Sequence, residues 1–107
     1  MSVVTNILFK TSVGDKHRIA KLNAVYQAGA KFISCDDELL PRGWYAGNKM
    51  LECQICPGAF HGFNLAELVR AIREVDWDDP DSVQLFIQGQ EESRLREVDL
   101  GLLDRKQ

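Results

Sequence analysis

From Val3 to Lys10 (VVTNILFK) apolar residues fill both alternating sets of positions, Val3, Ile7 and Phe9 on one and Val4 and Leu8 on the other. Successive side chains of a strand point to opposite faces, so this pattern predicts a central strand covered on both sides. Thr11–Asp15 reads as a turn ending in a helix cap, the Asp15 carboxylate accepting from the next free amides. Beyond it Ile19, Leu22, Val25 and Tyr26 recur at helical spacing, with Gly29 as a left-handed stop. Lys31–Cys35 predicts a short strand, and Asp36–Lys49 a loop broken by Pro41, Gly43 and Gly47.

Alternation returns in Met50–Cys56, where Leu51, Cys53 and Ile55 share one face and Glu52 and Gln54 the other. This predicts a half-buried strand with Cys53 inward, ended by Pro57-Gly58. Asn64 is a suitable N-cap for a second helix, with Glu67 three residues on and Phe63 placed to pack against Leu68. Leu65, Leu68, Val69, Ile72 and Val75 form its apolar stripe, while Arg70 and Glu74 pair on the outside. After a turn at Asp76–Asp81, Val83, Leu85 and Ile87 alternate with Gln84, Phe86 and Gln88 as another strand. A turn at Gly89–Ser93 leads into Leu95–Leu100, a candidate hairpin partner.

The expected order is therefore β-α-β-β-α-β with an extra C-terminal strand. Right-handed crossovers place the four main strands in one antiparallel sheet with both helices on one face. The fold class is α+β, a ferredoxin-like two-layer sandwich, and residues 1–107 form a single domain. The sheet face turned away from the helices is expected to show Glu52, Gln54, Gln84, Phe86 and Gln88.

Composition narrows the setting. The chain is 45% hydrophobic and 27% charged, as in ordinary globular proteins, and it holds three cysteines without a secretory pattern at its start. A reduced, cytoplasmic protein without a membrane span is the expectation. The net charge of −3 is uneven: residues 1–50 carry seven Lys/Arg and four Asp/Glu, residues 51–107 six and twelve. Nucleic-acid binders carry a basic surplus against phosphate, so this balance argues against nucleic acid. RNA-recognition domains share the expected architecture, but their aromatic-glycine signature is missing from Met50–Gln54.

The chemical candidates are few. Cys53 and Cys56 stand in C-x-x-C spacing, with Cys35 upstream and His61 downstream. A zinc site needs four converging ligands on tight knuckles, whereas a strand turns Cys53 and Cys56 to opposite faces. The thiols therefore read as core residues, with no metal and no cofactor implied. His17 lies among Lys16, Arg18 and Lys21, and neither it nor His61 has an evident catalytic partner. Phosphate-cradling and nucleophile-elbow motifs do not occur.

Recognition is better represented. Arg42, Trp44 and Tyr45 belong to the types that dominate interface hot spots, and they sit in a glycine-flanked loop. Asp76, Asp78 and Asp79 belong to an acidic turn able to steer a basic partner, and Phe86 marks the open sheet face. The sequence thus points to a small interaction or regulatory domain without catalysis, binding a protein partner and forming a homodimer through the open face or the apolar tail. The alternative is a small enzyme or ligand-binding domain using Asp36, Asp37, Arg42 and His61.

Overall fold

The structure, a computed structural model, describes residues 4–26, 32–33, 53–61 and 64–102. Six regular elements follow one another: β1 (Val4–Ser12), α1 (Lys16–Val25), β2 (Cys53–His61), α2 (Leu65–Glu74), β3 (Gln84–Gln88) and β4 (Arg96–Val98). The four strands make one antiparallel sheet in the order β2-β1-β3-β4. The protein is a mixed α+β domain built on this sheet and two helices. None of the described helices is long and apolar enough to cross a membrane.

β1 is central, as its apolar content predicts, but its two faces differ. Ile7, Phe9 and Thr11 are buried while Leu8 and Lys10 are half-buried. The buried face meets the inward stripes of both helices, Ile19 and Leu22 on α1 and Leu68, Ala71 and Ile72 on α2, in one hydrophobic cluster. Leu85 and Ile87 of β3 join it, and so do Leu100 and Leu102 beyond β4. Gly101, between those two leucines, has φ of 66°, a conformation open to glycine that few other residues adopt.

Aromatic rings run through this core in a chain. Phe9 lies 5.6 Å from Trp77 and 5.5 Å from Phe32, centroid to centroid, and Phe32 continues to Tyr26 at 6.2 Å and Phe60 at 5.7 Å. Trp77 closes one end of the core, its indole N–H donating to the Ile72 carbonyl at 2.8 Å. Phe32 is held from α1: the Asn23 side chain donates to its carbonyl at 2.9 Å and accepts from its amide at 2.7 Å. These are the bonds a neighbouring strand would make. Of the expected Lys31–Cys35 strand, the two described residues, Phe32 and Ile33, are not in a strand.

Three local expectations are corrected. The first is the phase of β2. Gln54 and Cys56 face the core, opposite Thr11 and Phe9, while Cys53 and Ile55 are half-buried on the other face. The reason is length: β2 runs on through Pro57 to His61, and Phe60 packs against the core from the same side as Cys56. Partial burial of the Phe60 ring, added to full burial of Cys56, sets the phase over Ile55. The second is Pro57, which does not end the strand. β2 has one paired neighbour among the described strands, and an edge strand tolerates a residue without an N–H.

The third is Asp15, which makes no side-chain cap to α1. Its fully buried carboxylate instead accepts from the backbone amides of Asp78 at 2.8 Å and Asp79 at 3.0 Å. The cap of α2 is as expected, with Asn64 Oδ1 accepting from the Glu67 amide at 3.1 Å. Phe63 and Gly29 lie outside the described residues.

The two thiols of β2 are thereby distinguished. In the folded protein Cys53 is expected to react with a small alkylating reagent at least ~10-fold faster than Cys56, because reactivity needs access. Peptide mass mapping after brief labelling checks this. Equal labelling of both at native conditions contradicts the observed phase.

Candidate functional site

The face of the sheet turned away from the core is defined by register. Its middle row crosses all four strands: Pro57, Leu8, Phe86 and Glu97 lie side by side. The row toward Ser12 holds Ile55, Lys10 and Gln84, and the row on the other side Ala59, Asn6 and Gln88. Directly opposed residues on neighbouring strands have Cβ atoms about 5 Å apart, so each row is a contiguous strip. No residue of these rows is fully buried, and Leu8, Ile55 and Phe86 stand outside the core cluster.

The strip is apolar in the middle and mainly uncharged at its margins. Glu97 is exposed and accepts from the Gln84 amide at 3.1 Å. His61 is exposed at one end of β2, opposite Val4, and half-buried Cys53 occupies the other end, opposite Ser12. The expected face is right for Gln84, Phe86 and Gln88 and wrong for Gln54, which is buried, while Glu52 lies outside the described residues. Ile55 and Pro57 take that side of β2, making the face more apolar than the sequence suggests.

The acidic turn is held by the rest of the fold. Asp15 binds two of its amides, Arg18 pairs with Asp78 at 2.9 Å, and Asp79 accepts from the Ser82 hydroxyl at 2.9 Å. Arg18 lies 60 residues away on α1, so sequence proximity could not reveal this partner for Asp78. Asp76 and Asp81 are exposed, and Asp79 is half-buried.

Asp36, Asp37, Arg42, Trp44 and Tyr45 lie outside the described residues, as does Cys35. Of the alternative ligand set only His61 is placed, far along β2 from Cys53. Among the described residues no three His, Cys, Asp or Glu side chains gather as metal ligands. A cleft of about 330 Å³ lies between Pro80–Gln84 and the segment Glu97–Leu102, with Asp81, Glu97 and Asp99 on its polar wall.

One titratable group carries a clear shift. Burial, with the nearby Glu67 charge adding to it, raises the Tyr26 phenol above its ordinary 10.0. The fold therefore favours the neutral phenol. Its contribution to stability is full below pH 10 and declines as pH rises through the folded-state value. Tyr26→Phe is expected to flatten the loss of stability between pH 9 and pH 11, measured by urea midpoints; an unchanged slope contradicts this.

Comparison of the chain with protein-family models, with curated proteins and with solved structures finds no match.

Proposed function

We propose that this is a protein-interaction domain without catalytic chemistry of its own, and that the open sheet face is its binding surface. One observation carries the reading: Leu8, Phe86, Ile55 and Pro57 form a contiguous apolar strip on a face whose residues do not belong to the core. Pro57 is exposed and Leu8, Ile55 and Phe86 are half-buried, and apolar strips outside the core with polar margins mark association surfaces. Arg18 and Asp15 already engage the acidic turn, which favours the sheet face over that turn as the main contact. The Trp44–Tyr45 segment is a candidate second contact on the ground of its residue types.

The same reading takes the fold as ferredoxin-like with both helices on one face. In support, β2 and β3 each run antiparallel to β1 and hence parallel to one another, joined by α2, the split β-α-β unit of that fold.

Phe86→Asp tests the proposal. The charge falls at the centre of the strip and is expected to weaken partner binding at least ~10-fold, at a stability cost of about 1 kcal/mol. Affinity capture with the full chain, with circular dichroism as the control for folding, reads the result. A folded Phe86→Asp chain that retains every partner at unchanged affinity overturns the assignment of the surface.

A further inference from the structure

We infer that the occupant of the open sheet face is a second copy of this chain, packed face to face about a two-fold axis that brings Lys10 of each copy against Glu97 of the other. This deepens the interaction reading above and rests on it.

The first argument is charge. Among the described strands fourteen side-chain positions point to the open face: five on β1, five on β2, three on β3 and one on β4. Only Lys10 and Glu97 among them are Lys, Arg, Asp or Glu, although 27% of the whole chain is. Depletion of charge is what distinguishes the centre of an interface from other surface. The two that remain are opposite in sign, so the described residues of the face sum to neutral. A strongly basic or acidic partner would find no matching field here, and neither would nucleic acid or an anionic membrane. A copy of the same face finds one of each sign.

The second argument is position. Lys10 lies one row along β1 from Leu8, about 7 Å, and Glu97 lies two strands across from Leu8, about 10 Å. A two-fold axis in the plane of contact, passing between Leu8 and Phe86 and oblique to the strands, exchanges these two points. The same operation sets Leu8 of one copy near Phe86 of the other, so the apolar centre and the ion pairs are satisfied together. Such an interface is isologous, each contact occurring twice, and it closes at two copies.

Lys10 makes no ion pair among the described residues, and the only bond shown for the Glu97 carboxylate is the one from Gln84. Both charges can therefore meet a partner without breaking a salt bridge among the described residues. Area sets the strength. A face of this strand number and length covers about 500 Å² in plan, below the ~800 Å² per partner of a standard stable interface. The dimer is accordingly weak, with dissociation in the micromolar range.

Sedimentation of the full chain over ~5–500 μM tests this. The weight-average mass is expected to rise from 12.1 kDa toward twice that value. Lys10→Glu and Glu97→Lys alone should each weaken association at least ~10-fold by opposing like charges across the axis. The double variant Lys10→Glu/Glu97→Lys should recover most of the loss, since it restores opposite signs with the pair reversed. Both positions are outside the core, and circular dichroism confirms that each variant is folded.

A mass that stays at one chain throughout overturns the inference, as does a folded double variant no better than the weaker single. If the chain is monomeric and Phe86→Asp still abolishes capture of a different protein, the sheet face stands as a binding surface and the second copy falls. If Phe86→Asp alters neither self-association nor capture, both readings fall.

Discussion

Phe9→Ala is expected to lower the free energy of unfolding by about 4 kcal/mol, within the usual 3–5 kcal/mol for removing a buried aromatic ring. Phe9 is fully buried on the central strand and touches two other rings, Phe32 and Trp77. Its removal opens a cavity under the sheet and separates Trp77 from the other rings. A domain of this size has a total stability of roughly 5–15 kcal/mol, so the variant is left marginal or unfolded at room temperature. Urea titration followed by tryptophan fluorescence reads the change, since Trp77 reports on the same cavity. Phe9→Leu, which fills much of the space, should lose about half as much. A loss below about 1 kcal/mol for Phe9→Ala would mean that the ring is not packed as described.

Asp15→Ala is the second large effect, with an expected cost of about 3 kcal/mol. The carboxylate accepts from two backbone amides of the Asp76–Asp81 turn, and hydrogen bonds to charged groups contribute about 1.5–3 kcal/mol each. Truncation leaves both donors without their acceptor and cuts a tie between residues more than 60 positions apart. Asp15→Asn keeps one acceptor oxygen and should lose roughly half as much. Amide hydrogen exchange at Asp78 and Asp79 gives a local check. Both amides should exchange faster in Asp15→Ala than global destabilisation alone explains. Unchanged protection there contradicts the role assigned to Asp15.

Where the pattern was dense, the sequence was a good guide. Leu68, Ile72 and Val75 repeat at helical spacing behind an Asn64 cap, and all of α2 follows from those residues and the Glu67 amide they leave to be satisfied. Leu85 and Ile87 gave the inward face of β3 for the same reason. β2 shows how a local reading fails. Leu51, Cys53 and Ile55 outweigh Gln54 and Cys56 only if the strand stops at Pro57. The packing of Phe60 and the single partner of β2 among the described strands are tertiary facts, and they reverse the choice. The partners of Asp15 and Asn23 were likewise hidden, because each side chain acts on backbone brought to it by the fold. For the candidate surface, Phe86 was legible from alternation alone. The Pro57 and Ile55 side of the strip was not, since it depends on the corrected phase.

The place of β1 in the sheet also governs how the chain is made. Both neighbours of the first strand come later in the sequence: Val4 pairs with His61, and Asn6 with Gln88. At ribosomal speeds of ~5–20 residues per second, the ~80 residues between Asn6 and Gln88 take roughly 4–16 s to synthesise. For that interval the central strand of the sheet, with its buried Ile7 and Phe9, has no complete sheet to enter. Nascent chains are thus most exposed to sticking together late in translation. Slowing elongation between β2 and β3 should lower the yield of folded protein more than an equal pause after β3.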